Sequence, residues 1–282
     1  MQVFQGKEAL REYINKQRNK GLSIGFVPTM GALHDGHLSL IDAAKKENDL
    51  VVCSIFVNPT QFNNPEDFSK YPSTLAADKA LLQGKKCDVL FMPDTKEMYG
   101  SQAASKSYSF GEVENVMEGA FRPGHFDGVA TIVSKLFDSA FPDRAYFGEK
   151  DYQQLCIIQS LVEQEKLPIQ IVPVAIMREE SGLAMSSRNV RLSKTGRKQA
   201  AFIYEIEQEA VQMRANGASP SHIETNLRNA FEQRKEFTLE YVSIANSKNL
   251  QPIDAFSNTV PTRIFIAAEI EGVRLIDNHP LD

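Results

Sequence analysis

Short apolar runs alternate with amphipathic stretches through the first 175 residues, and few architectures accept that order. Residues 23–27 (SIGFV), 50–57 (LVVCSIFV), 88–92 (DVLFM), 145–147 (AYF) and 169–174 (IQIVPV) read as buried strands. Between them lie helical patterns. In residues 126–140 the apolar positions Val129, Ile132, Val133, Leu136, Phe137 and Ala140 recur at three- and four-residue steps. Strand–helix–strand alternation of this kind predicts a parallel sheet covered on both faces, an α/β and Rossmann-like domain over residues 1–175. Ligands of such sheets sit beyond the carboxyl ends of the strands, so the loops that follow the strands hold the candidate functional residues.

The pattern changes after about Val174. Helical periodicity fills residues 193–215 and 219–234, with Gly217 and Pro220 as stop and start signals. Strand-like runs follow at 238–244, 263–268 and 273–276, and Glu271-Gly272 marks a hairpin between the last two. Residues 176–282 are therefore expected to form a smaller α+β domain, and 282 residues suit two domains. The charge balance, 31 Lys+Arg against 36 Asp+Glu, argues against a nucleic-acid binder, which needs a basic surface. No apolar run approaches the roughly 18 residues of a membrane span. The three cysteines, Cys53, Cys87 and Cys156, sit among apolar residues without C-x-x-C spacing, which predicts reduced, mostly buried thiols and a cytoplasmic protein.

The stretch 26–38, FVPTMGALHDGHL, is the most informative. A strand ends, a loop with Pro28 and Gly31 follows, and a helix opens near Asp35-Gly36, so His34 and His37 converge on a helix amino end. Free backbone N–H groups and the helix dipole favour a phosphate there. Two imidazoles could donate to its oxygens and stabilise charge on a leaving group. Two polar residues capping a helix would leave the same pattern. Zinc would need a third ligand, and none is evident nearby. A second stretch, 184–189 (AMSSRN), follows Arg178 to Gly182, and its two hydroxyls and guanidinium suit a mobile, polar phosphate-clamping loop.

A His-x-Gly-His turn paired with such a loop resembles the nucleotidyltransferase superfamily of class I aminoacyl-tRNA synthetases. Three further blocks, 56–62 (FVNPTQF), 122–133 (RPGHFDGVATIV) and 147–155 (FGEKDYQQL), narrow the match. In order and spacing the set is similar to the pantothenate synthetase (pantoate–β-alanine ligase) family. Thr60 departs from that family's more usual Asn-Pro-Met-Gln-Phe, a change expected to alter pocket packing modestly.

The resemblance implies ATP-dependent ligation of pantoate and β-alanine through a pantoyl adenylate, with Mg²⁺ accompanying ATP, in a homodimer. It places ATP on Met30, Gly31, Ala32, Leu33, His34, Asp35, Gly36 and His37, the last a proton donor by family correspondence. Hydrogen bonding of phosphate oxygens is the physically preferred role for both imidazoles. Gly148, Glu149, Lys150 and Asp151 would lie at ribose and phosphate, with Lys150 as counter-charge and Asp151 as hydroxyl acceptor. Ser186, Ser187 and Arg188 would close over the outer phosphates with Met185 packing beneath, and Met177 would reach adenine through its backbone. Gln61 and Gln154 are implied pantoate contacts, with Gln61 also near β-alanine. Asp78 is either a water-mediated Mg²⁺ ligand or an exposed helix residue. His125 either lines the pantoate pocket or belongs to a helix cap. A nucleotidyltransferase that leaves the nucleotide on its product shares the histidine logic but fits the Asn-Pro-x-Gln-Phe block poorly. A tRNA synthetase fragment conflicts with the acidic balance, and a nucleotide sensor need not keep transition-state donors.

Overall fold

In chain order the computed structural model, which describes residues 1–281, runs β1 (Gln2–Phe4), α1 (Lys7–Arg18), β2 (Ile24–Thr29), α2 (Asp35–Glu47), β3 (Leu50–Ile55), α3 (Pro65–Ser69), α4 (Leu75–Gly84), β4 (Val89–Phe91) and α5 (Thr95–Tyr99). It continues with α6 (Met117–Phe121), α7 (His125–Ala140), β5 (Arg144–Gly148), α8 (Tyr152–Gln164) and β6 (Gln170–Val174). Then come α9 (Lys194–Ala200), α10 (Phe202–Ala215), α11 (Pro220–Glu232), β7 (Phe237–Asn246), β8 (Thr262–Ile270) and β9 (Val273–Pro280).

Strands β1 to β6 form one parallel sheet in the order β1-β4-β3-β2-β5-β6. Period-two alternation supplies two apolar faces. On one face Val27, Val51, Cys53, Leu90 and Tyr146 meet Leu40, Ile41 and Ala44 of α2. On the other, Phe26 and Phe147 lie edge-on to Phe137 of α7, with ring centroids 6.2 and 6.4 Å away. The strand order reverses between β2 and β5, the position where sheets of this kind open a crevice at their carboxyl ends. Each of the five expected strands is present within a residue or two, whereas β1 is an addition.

The remaining strands form a three-stranded antiparallel sheet, β7-β8-β9. Its core joins Ile264, Ile266 and Ala268 of β8 to Ile203, Ile206 and Ala210 of α10 and Ile223, Leu227 and Phe231 of α11. Glu271 and Gly272 both take left-handed backbone angles, φ 53° and 71°, as a tight two-residue hairpin turn needs. Ser219 caps α11 by accepting from the His222 N–H, with Pro220 in the first turn. The single helix expected over 193–215 is instead α9 and α10, separated at Ala201.

The chain divides into two compact units, and the division is not a single cut. The first holds Met1–Phe110, Phe121–Glu149 and Gln154–Ala175; the second holds Gly111–Ala120, Lys150–Gln153 and Ile176 onward. Polar partners explain why the two short pieces belong with the second unit. Glu118 is paired with Arg274 and accepts from the Tyr241 hydroxyl, and the Lys150 carbonyl accepts from Asn278 Nδ2. Gln153 Nε2 donates to the carbonyls of Val113 and Val116 at 2.7 and 2.9 Å.

Candidate active site

In the first unit, the loop after β2 is shaped by one buried carboxylate. Asp78 of α4, 1% exposed, accepts from the N–H groups of Ala32 (3.0 Å) and Leu33 (2.8 Å) and from the Thr74 hydroxyl (3.0 Å). Thr29 Oγ1 adds a link, accepting from Gly31 N while donating to the Ser54 carbonyl. Asp78 thereby holds Ala32 in the left-handed region at φ 49°. The chain then enters α2 with His34 as its N-cap residue, in extended conformation, and His37 in the first turn. The two imidazole rings lie 4.1 Å apart at 43°, at the positive end of the helix dipole. Asp78 is therefore not an exposed helix residue: its carboxylate is buried and accepts from the loop it shapes and from the Thr74 hydroxyl. Among the described residues no cluster of three or more His, Cys, Asp or Glu side chains could cage a metal.

After β3 the chain makes a short 3-10 turn over Pro59–Gln61. The Gln61 carbonyl accepts from Arg122 and lies 2.8 Å from Nδ1 of buried His125, at the start of α7. The Gln61 side chain is held at both ends: Oε1 accepts from Asn58 Nδ2 at 3.0 Å, and Nε2 lies 3.2 Å from the Met30 sulfur. Asn58, 1% exposed, also donates to the Gly128 carbonyl. Its Oδ1 accepts from the hydroxyls of Tyr99 and Thr60. Thr60 thus enters a polar network, a different outcome from the modest packing change expected of it. Gly148 ends β5 beside Val174, and Gln154 is half-buried in the first turn of α8.

In the second unit, residues 178–182 form a closed turn ahead of the 184–189 stretch. Met185 N donates to the Met177 carbonyl, Glu179 N donates to the Leu183 carbonyl, and Arg178 bridges Ala184. Ser186 then caps the 3-10 turn Ser187–Arg191 by accepting from Arg188 N. Arg178 is turned inward. It binds Asp277 through both nitrogens (2.5 and 3.1 Å), reaches Glu207 at 3.3 Å and stacks 4.2 Å over the Tyr204 ring. Burial, reinforced by Asp277, pushes the Glu207 carboxyl well above the usual range, against the pull of Arg178 and Arg263. Asn278, next to Asp277, binds the Lys150 carbonyl, so one polar network supports both the turn that leads to Ser187 and the backbone of Lys150. The Lys150 ammonium lies 3.8 Å from Asp151.

The expected residues thus fall into local groups: Met30 with Gln61, Ala32 and Leu33 with Asp78, His34 with His37, and Lys150 with Asp151. Asp35 is exposed in the first turn of α2, and Gly36 follows it. Glu149 ends the first unit's run at the chain step before Lys150. Met177 keeps an exposed side chain, 42% accessible, while its carbonyl is engaged by Met185. Of the supporting residues, Gly128 falls within the 122–133 block and Arg178 just ahead of the 184–189 loop, whereas Tyr99 and Asn278 carry no motif signal, their partners lying 39 and 128 positions away.

Comparison with known proteins identifies the family. The family model described as pantoate-beta-alanine ligase matches residues 2–280. A pantothenate synthetase of Christiangramia forsetii is 49% identical over the full length of both chains. The crystal structure of pantothenate synthetase from Thermus thermophilus superposes with a TM-score of 0.93 at 40% identity, covering 100% of this chain and 99% of that one. The pantoate-beta-alanine ligase of Francisella tularensis, complexed with beta-gamma ATP and beta-alanine, gives 0.82 at 37% identity over 100% and 98% of the two chains. A histidine pair at the reversal point of a parallel sheet and a match over almost every residue lead to one assignment: this chain belongs to the pantoate-beta-alanine ligase family.

Proposed function

We infer that this protein condenses pantoate with β-alanine at the expense of ATP, giving pantothenate, AMP and pyrophosphate. A carboxylate is a poor electrophile, so the first step makes a better leaving group. A pantoate carboxylate oxygen attacks the α-phosphorus of ATP, the bond from that phosphorus to the bridging oxygen breaks, and pyrophosphate departs. The neutral amine of β-alanine then attacks the acyl carbon, the bond to AMP breaks, and the amine loses a proton. The observation that carries this reading is the His34–His37 pair at the amino end of α2, 4.1 Å between rings, on a loop fixed from within by Asp78.

In this reading the two imidazoles hydrogen-bond phosphate oxygens and stabilise charge as pyrophosphate leaves. Met30 to His37 border the nucleotide, and Gly148 and Glu149 continue that border. Lys150 is a phosphate counter-charge and Asp151 a ribose acceptor. Ser186, Ser187 and Arg188 bind the outer phosphates, Arg188 with the planar fork suited to two oxygens at once, over Met185. Met177 lies toward the adenine. Gln61 and Gln154 bind pantoate, and Gln61 also borders β-alanine. Mg²⁺ would be carried in on the phosphates with water completing its shell, which requires no protein cage. When bound, it neutralises phosphate charge.

A homodimer formed through the first unit, and a cytoplasmic location, complete the proposal. The free thiols of Cys53, Cys87 and Cys156 support the location. The test is pyrophosphate and AMP release from Mg-ATP with pantoate, with and without β-alanine. Pantoate-dependent pyrophosphate release, with AMP and pantothenate appearing only after β-alanine is added, is expected. Folded protein that binds ATP but releases nothing with pantoate would refute it, and sedimentation tests the dimer.

A further inference from the structure

We propose that Thr60 and Tyr99 are positioning residues that fix the carboxamide of Gln61 with its N–H₂ group turned outward, so that this side of the site presents hydrogen-bond donors to the oxygens of the acid substrate. The proposal rests on the reading of Gln61 as a pantoate contact.

The argument starts from a group that can only accept. The Gly128 carbonyl lies 3.1 Å from the Asn58 side chain, so the atom facing it must be the amide nitrogen. That nitrogen has one hydrogen left, directed at the Gln61 side chain 3.0 Å away, which must therefore offer oxygen. Gln61 Nε2 is then forced to the other side, where it meets the soft Met30 sulfur at 3.2 Å. Sulfur is a weak acceptor that a substrate oxygen can replace.

What keeps Asn58 in place is the other half of its amide. Oδ1 is buried and takes two donors, Tyr99 at 2.6 Å and Thr60 at 3.2 Å, whose hydroxyls are themselves 3.1 Å apart. Tyr99 is in turn held by the Phe56 ring at 6.4 Å and by Lys135, whose ammonium sits 5.3 Å over its face. Without those hydroxyls, Asn58 would keep a buried oxygen with no donor, a costly state that it relieves by turning and releasing Gln61. A methionine at position 60 could supply no such donor. The departure at Thr60 therefore gives this chain a second hydroxyl on Asn58.

The experiment compares Tyr99→Phe, Thr60→Val and Thr60→Ser in the full chain. Pantoate-dependent pyrophosphate release gives separate KM values for pantoate and ATP, thermal melts verify folding, and the side-chain amide NMR signals of Asn58 and Gln61 are followed. KM for pantoate is expected to rise about ten-fold in Tyr99→Phe and about three-fold in Thr60→Val. KM for ATP should stay unchanged, Thr60→Ser should restore the wild-type value, and both amide signals should shift in the two deletions. Folded variants with unaltered pantoate KM overturn the proposal, as does an equal rise for ATP and pantoate, which would signify general loosening. Should Tyr99→Phe fail to fold, Thr60→Val and the amide signals decide alone. If the wild-type protein itself releases no pyrophosphate with pantoate, the functional reading falls first, and unshifted amide signals would then also overturn the positioning role.

Discussion

Gly128 tests the geometry around Gln61 most sharply, because alanine there should help the helix while harming the site. A Cβ at position 128 would lie 2.4 Å from the Thr60 carbonyl oxygen and 2.8 Å from Gln61 Cα, where ordinary contact begins near 3.4 Å. One side must retreat by about 1 Å. Helix α7 is the rigid partner, since Val129, Ile132, Val133 and Leu136 are all at most 5% exposed, so the turn Pro59–Gln61 yields and carries Gln61 with it. Overpacking costs about 1–3 kcal/mol. Glycine to alanine inside a helix returns about 1 kcal/mol, so the net loss is about 0–2 kcal/mol and the melting temperature falls by only a few degrees. Misplacing a substrate-positioning group by about 1 Å, however, can cost about 100-fold in rate. Pyrophosphate release at varied pantoate, with a thermal melt on the same sample, should show a folded Gly128→Ala enzyme with kcat/KM for pantoate about 100-fold lower. A folded variant with wild-type kcat/KM would refute the claim that close approach of α7 sets the place of Gln61.

Other parts of the chain give equally direct expectations. Asp78→Asn puts an N–H₂ where a carboxylate oxygen met a backbone N–H, so either Ala32 N, or Leu33 N together with Thr74 Oγ1, loses its acceptor. A stability loss of about 1–3 kcal/mol and a raised KM for ATP should follow, and an unchanged melt with unchanged KM would contradict the loop-shaping role. Glu207 holds its proton more tightly folded than unfolded, so its contribution to stability is full below the ordinary value of 4.5 and is lost as pH rises through the raised one. Melts of wild type and Glu207→Gln over roughly pH 5 to 8 should therefore move in favour of the variant as pH rises; parallel curves would count against the burial argument. Alanine at His34 or at His37 should slow pantoate-dependent pyrophosphate release by about 10²–10³ while the protein stays folded, and a loss below ten-fold at both would remove the imidazoles from the chemistry.

The parallel sheet is legible because its central strands are runs such as LVVCSI, buried on both faces, and because α2 and α7 repeat apolar residues at helical spacing. Strand β1 escapes notice: Gln2–Phe4 is a three-residue edge strand, and Gln2 and Val3 are exposed. The step at Ala201 is equally silent, since no glycine or proline stands there and both flanking segments share one apolar stripe. The histidine turn could be read because strand, loop and helix cap are contiguous in sequence. Asp78 could not, because it reaches the loop from 45 positions away, and a carboxylate in the first turn of a helix ordinarily faces water. The same holds for Lys150–Gln153, whose company in the second unit is decided by Asn278, Val113 and Val116.

The carboxylate of Asp78 also decides when disorder is removed. Fixing a backbone residue costs about 1–2 kcal/mol of conformational entropy, and a loop left slack until its ligand arrived would incur that cost at every encounter. Here Ala32 and Leu33 are already pinned from inside the protein. Their ordering happens once, while the chain folds, and each incoming nucleotide would meet a surface whose shape is settled beforehand.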